Sequence, residues 1–333
     1  MKPVIYGLAG PALTPDERAF FADAAPLGFI LFGRNIENRA QVLALTGSLR
    51  ALTGRDDLPI LIDQEGGRVA RMKPPEWPAF PAGPVFDTLY QAAPMSAIQA
   101  MRANAQALGL MLNDVGITVD CAPILDVARP ATTDAISSRT YGAEPMQVAA
   151  LGRAMLEGLR AGGVVGVVKH MPGHGLAEVD THHLLPTVTA DDAALEVDLE
   201  PFRTLRHAGM GMTSHIVFEA WDASRPATLS PVVIEQVIRG RIGFDGLLMT
   251  DDIDMKALSG TPADKAADAI AAGCDVVLDC WGRMEEMIAI ADRLDDALPA
   301  TLARLDRAMA MRDRASGDMA ELLATRDAFL ALV

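Results

Sequence analysis

Val164-Val165-Gly166-Val167-Val168 runs without a break into Lys169-His170-Met171-Pro172-Gly173-His174-Gly175. The first five residues are apolar or small throughout. Unbroken apolar character, rather than alternation, marks a strand buried on both faces, as in a parallel sheet. The strand gives way to a polar loop that continues to Pro186 and carries four of the chain's six histidines, together with Glu178 and Asp180. Histidine titrates nearest neutrality and suits proton transfer or metal binding. A polar loop hung on an apolar strand is where chemistry is expected.

Seven further runs share that strand character, at 3–9, 28–32, 59–62, 117–121, 209–213, 246–250 and 274–278. Helical patterns lie between them. Thr14-Pro15-Asp16-Glu17 offers a cap residue, proline at the first helical position and acids in the first turn, and Thr261-Pro262-Ala263-Asp264 repeats the signature. Helices are predicted at 96–113, 145–161, 285–294 and 302–314, with another that opens at Ser230-Pro231 and ends near Gly240. Strand followed by helix, eight times over, predicts an α/β fold of the (β/α)8 TIM-type barrel class. A doubly wound open sheet is the rival, and the count of eight favours the barrel. No linker divides the chain, so residues 1–333 are expected to form a single catalytic barrel domain. The tail from about 315 is expected to be helical and to pack on the outside.

The 333 residues are 50% hydrophobic and 22% charged, the profile of an ordinary globular protein. A formal net charge of -15 argues against nucleic acid and anionic membrane as partners. No run of about 20 apolar residues exists to span a membrane. The N-terminal apolar run ends by Ala9 and leads to Pro11, Asp16 and Glu17, too short for a secretory signal. The three cysteines, Cys121, Cys274 and Cys280, form no disulfide framework and no Cys-x-x-Cys pair. A cytoplasmic monomer without cofactor or metal is expected.

In such barrels the active site forms at the C-terminal ends of the strands. The third run ends in Asp63-Gln64-Glu65-Gly66-Gly67-Arg68, the fourth carries Asp120 with Asp126 close behind, and the fifth leads to Lys169-His170. The sixth ends in Ser214-His215 and the seventh in Asp251-Asp252-Ile253-Asp254. Any one aspartate here can be a helix cap or turn residue, but convergence at one barrel face favours function. Asp251 is the best candidate nucleophile, because a carboxylate at a strand tip is held rigidly. Asp252 competes for the role, and spacing does not separate the two. Asp180-Thr181-His182 has the makings of a carboxylate–histidine dyad for general acid and base work, with His183 as the alternative histidine. A metal reading of His170, His174, Asp180, His182 and His183 is weaker, since no known ligand spacing occurs. Arg71 and Arg139 add forked donors suited to a polyhydroxylated ligand.

In order along the chain stand Asp63-Gln64-Glu65-Gly66-Gly67-Arg68-Val69 with Arg71, Ala122-Pro123-Ile124-Leu125-Asp126-Val127, Arg139-Thr140-Tyr141, Lys169-His170-Met171-Pro172-Gly173-His174-Gly175, Asp180-Thr181-His182, Gly243-Phe244-Asp245-Gly246 and Thr250-Asp251-Asp252-Ile253-Asp254-Met255. This set resembles the bacterial β-N-acetylhexosaminidases of glycoside hydrolase family 3, from about the second strand through Asp275. The resemblance implies a single-domain barrel that removes a terminal β-linked N-acetylglucosamine with retention of configuration. It implies Asp251 as nucleophile and His182 as acid/base, positioned by Asp180 on a loop. It implies Asp63, Arg71, Arg139, Lys169 and His170 as contacts to the sugar. A role in recycling cell-wall muropeptides goes with it. Two departures stand out: Met171 occupies a position that is usually aromatic, and the second domain of many β-glucosidase relatives is missing. Within enzymes the rival is a phosphorylase using phosphate as acceptor. Outside them it is a non-catalytic sugar-binding barrel.

Overall fold

The structure, a computed structural model, describes residues 1–181 and 184–333. Strands and helices alternate in the order β1 Lys2–Gly7, α1 Pro15–Ala24, β2 Pro26–Leu31, α2 Arg39–Thr53, β3 Ile60–Ile62, α3 Gly83–Ala92, α4 Pro94–Asp114 and β4 Val119–Asp120. The middle of the chain adds the short α5 Asp134–Ser137, then α6 Pro145–Ala161, β5 Val165–Met171, β6 Thr187–Val188, α7 Asp192–Thr204, β7 Met210–Thr213 and β8 Val217–Phe218. A π-helical segment Val233–Ile242 precedes β9 Leu247–Asp252, α8 Pro262–Ala272, β10 Val276–Asp279, α9 Met284–Arg293, α10 Pro299–Met309 and α11 Met319–Leu330.

Eight strands form a closed parallel barrel in the order β1-β2-β3-β4-β5-β7-β9-β10. β1 pairs with β2 on one side and with β10 on the other, so the sheet has no edge and the open-sheet rival falls away. β6 and β8 pair apart from the barrel. They tie the end of the 172–186 loop to the segment after β7, through Val217 N–H to Pro186 O at 3.0 Å.

The apolar runs are apolar because both strand faces are covered. On β1, Ile5 joins the cluster inside the barrel while Val4 and Tyr6 join the layer under the helices. On β3, Leu61 points inward and Ile60 and Ile62 outward. Burying each such side chain contributes about 1.5–3 kcal/mol. α10 closes one end of the barrel, since Leu305, Ala308 and Met309 belong to the interior cluster. Chemistry is left to the other end, at the C-terminal ends of the strands.

The sequence-based boundaries need correction in places. β4 spans only Val119–Asp120, although 117–121 is apolar. β5 runs through Lys169 and His170 to Met171, so these two residues lie in the strand, not beyond it. The helix expected at 302–314 is Pro299–Met309. In the tail, α11 lies against α4, where Arg326 donates to Asn104 Oδ1 at 3.2 Å. No helix among the described residues is long and apolar enough to cross a membrane.

Candidate active site

A cavity of about 360 Å3 opens among the C-terminal ends of the strands. Asp63, Arg71, Arg139, Lys169, His170, Asp180 and Asp251 all line it. His182 lies outside the described residues, as does His183.

The floor is a lattice of charges. Asp63 leaves the end of β3 and accepts from Arg71 Nη2 at 3.0 Å and from Lys169 Nζ at 3.1 Å. Two residues on, Glu65 takes both arms of Arg139, Nε at 2.8 Å and Nη2 at 2.5 Å, and Lys169 Nζ at 2.7 Å. Lys169 therefore bridges the two carboxylates from the neighbouring wall. Burial would raise the Glu65 carboxyl, but Arg139 and Lys169 overcome this and hold it well below the ordinary carboxylate range. Asp63 is held down in the same way by Lys169 and Arg71, against burial. Burial would likewise lower the Lys169 ammonium, yet Glu65 and Asp63 keep it above its usual value. All of these groups are thus ionised at neutral pH and oriented before any ligand arrives.

Glu65 stands in the sequence only as part of a polar run. Its spacing from Asp63 was the signal, since alternate residues of an extended segment share a side. Gln64, between them, points into the protein. Its Oε1 accepts from Arg71 N–H at 2.7 Å and Met72 N–H at 3.0 Å, which fixes the loop that returns Arg71 to the pocket. That loop turns at Gly66, with φ +106, where a Cβ would lie 2.2 Å from Pro81 O.

Asp126 is the second organiser the sequence left without a role. The segment after β4 pairs with the end of β5, with Leu125 N–H to Lys169 O at 2.6 Å. Asp126 is thereby brought to His170, whose Nδ1 donates to Oδ2 at 2.7 Å, while Oδ1 takes the N–H of His174 at 2.8 Å. The carboxylate fixes the orientation of the His170 ring. His174 packs edge-on to His170 with ring centroids 5.7 Å apart, and burial pulls its pKa down to about 4. It is a neutral packing partner. Asp120 lies under the floor, fully buried, and burial pushes it up to about 8.

Asp251 and Asp252 differ in what holds them. Asp251 faces the cavity from the tip of β9, with Oδ1 taking the N–H of Asp252 at 2.8 Å. Burial would raise its carboxyl, but the rings of His170 and His215, that N–H and Lys169 hold it below the ordinary range. Asp252 is tied into the wall. Its Oδ2 accepts from the Trp281 indole at 3.1 Å and its Oδ1 from Asp254 N–H at 3.2 Å. Burial and the neighbouring Asp251 push it up to about 6. His215 braces the pair from below, with Nε2 donating to Asp252 O at 3.0 Å and Nδ1 meeting Thr228 Oγ1 at 2.8 Å. Cys121 is buried with its thiol pushed up by burial, which fits a packing residue.

The described residues include no group of three or more histidine, cysteine or carboxylate side chains arranged to hold a metal. Of the residues in the metal reading, His170 has its Nδ1 committed to Asp126.

The chain matches the glycosyl hydrolase family 3 N terminal domain over residues 12–311. It is 38% identical over 330 residues to a beta-hexosaminidase of Chromobacterium violaceum, covering 98% of this chain and 91% of that protein. A beta-hexosaminidase of Bordetella avium is 34% identical over 310 residues, covering 92% and 86%. Among solved structures, NagZ from Neisseria gonorrhoeae in complex with N-trifluoroacetyl-D-glucosamine superposes with a TM-score of 0.88 at 31% identity, covering 99% of this chain and 98% of that one.

Proposed function

This chain belongs to glycosyl hydrolase family 3, and from that premise we propose that it is a retaining exo-β-N-acetylglucosaminidase that trims terminal N-acetylglucosamine from muropeptides. The observation that carries the proposal is the Asp251 carboxylate, kept ionised and fixed by the Asp252 N–H, facing a pocket whose floor is a prebuilt lattice of donors and acceptors. A nucleophile needs a charged, immobile carboxylate, and a sugar needs forked donors beside acceptors. The volume sits at the small end of ligand pockets, which run from about 300 Å3 upward. Such a pocket suits one terminal sugar rather than the middle of a chain.

Asp251 attacks the anomeric carbon while His182, oriented by Asp180, protonates the leaving oxygen. A covalent glycosyl-enzyme forms, and water then displaces Asp251 with His182 as base. Asp180 lines the pocket, on the loop that leads to His182. The roles of Asp180 and His182 rest on the family resemblance. So does the setting, recycling of muropeptides in the cytoplasm by a monomer.

Release of p-nitrophenol from its N-acetyl-β-glucosaminide by the wild type and by Asp251→Ala tests the reading. Turnover by the wild type and a loss of about 10³-fold or more in the variant are expected. Comparable turnover in the variant would remove Asp251 as nucleophile. A sugar 1-phosphate formed in phosphate buffer would replace hydrolysis by phosphorolysis.

A further inference from the structure

Trp281 lines the mouth of the same cavity, two residues beyond the end of β10. It is 50% exposed. A single exposed apolar side chain needs no explanation of its own. This one differs in being held. Its indole N–H donates to Asp252 Oδ2 at 3.1 Å, and Asp252 is the neighbour of the attacking carboxylate. The backbone beside it is wedged against the end of β1: Gly282 has φ +67, and a Cβ there would lie 2.6 Å from the carbonyl carbon of Leu8. Arg34 locks the same junction by donating to Leu8 O and Cys280 O. The guanidinium groups of Arg34 and Arg283 lie 5.9 Å and 5.4 Å from the ring centroid. Trp281 is thus a fixed ring with much of its surface presented to solvent, above a pocket whose depth is already filled with charge.

The order of groups with depth gives the ring its use. Glu65, Arg139 and Lys169 are largely buried and take up the polar demands of the floor. Asp251 lines the same cavity, and the half-exposed Trp281 borders its opening. A terminal sugar seated on the floor places its glycosidic bond at Asp251, so whatever is attached leaves through the mouth. We propose that Trp281 is the platform on which a sugar ring in the leaving group stacks, an inference that rests on the glycosidase reading. A pyranose presents an apolar C–H face, and a fixed indole receives it with little loss of side-chain freedom. Trp281 therefore selects for substrates whose leaving group is itself a sugar.

The experiment compares N,N′-diacetylchitobiose, which has a sugar leaving group, with methyl N-acetyl-β-glucosaminide, which has none. The ratio of their kcat/KM values is measured for wild type, Trp281→Ala and Trp281→Phe. In Trp281→Ala the ratio falls about tenfold, mostly through KM for the disaccharide. Trp281→Phe keeps a ring but loses the bond to Asp252, and it retains most of the ratio. An unchanged ratio in Trp281→Ala overturns the proposal. So does an equal loss in both variants, because the bond to Asp252 would then account for the effect. Wild-type enzyme that cleaves neither compound would bring down the glycosidase reading itself, and this inference with it.

Discussion

Asp252 Oδ2 accepts from the Trp281 indole, while Asp251 Oδ1 takes the N–H of Asp252, and both residues line the cavity. Two neighbours of identical chemistry are separated by their partners, which sequence spacing does not reveal. The same holds for Glu65 and Asp126. Each was visible as an acid near a strand end, and neither announced that it would anchor Arg139 and Lys169, or His170. Residue type records what a side chain can do. The fold decides whom it meets. The residue on which the mechanism leans hardest is His182. If it is the acid, His182→Ala slows cleavage of disaccharides by about 10²–10⁴-fold. It leaves aryl glycosides with good leaving groups much less affected, since these need little protonation. Steady-state rates on both substrate types check this, and equal losses would take the role from His182.

Among the elements, those with a physical signature at their ends were the legible ones. Thr14 and Thr261 each cap a helix as the sequence indicates, with Oγ1 accepting from Glu17 N–H at 3.1 Å and Asp264 N–H at 3.2 Å. At α1 the cap has grown into a hub. Glu17 is buried, with Oε2 taking Thr14 N–H at 2.8 Å and Oε1 taking Ala9 N–H at 2.9 Å. It fastens the β1–α1 loop beside the junction that carries Trp281. Thr14→Ala should cost about 1 kcal/mol. Glu17→Ala should cost more, about 2–3 kcal/mol, because it strands two backbone donors. Urea denaturation ranks the two, and a reversed order would refute the hub. Strand lengths were less legible than strand number. Apolar runs report burial, so 117–121 reads longer than the ladder of β4, and Lys169 and His170 hide the true end of β5. β6 and β8, at two residues each, hold too few side chains for any pattern.

For the molecule as a whole, the count of eight strands was enough to name the architecture, and only the pairing of β1 with β10 shows that it closes. Buried acids also give the molecule a characteristic response to pH. Asp198 packs against the backbone of Gly173 and Gly175, and burial, with Asp126 nearby, pushes its carboxyl up to about 7 against the pull of Arg129. In the unfolded chain it titrates near pH 4. Between about pH 4 and 7 the folded state therefore holds a proton that the unfolded state has released, and stability falls as pH rises through that window. Asp198→Asn removes this loss. Its Tm relative to wild type should climb by about 3 °C or more from pH 4.5 to pH 8, read by thermal unfolding at both values. A gap that stays flat or shrinks would contradict the assignment.

The floor lattice also governs how the pocket responds to salt. The described side chains lining the cavity include five cations and five carboxylates, while the chain as a whole carries a formal charge of -15. The cavity is ionic in its parts and close to neutral in sum. An uncharged sugar thus meets oriented dipoles with no net monopole behind them. The counterions drawn to the acidic exterior have nothing to screen inside the mouth, so recognition is insulated from the ionic strength of the medium.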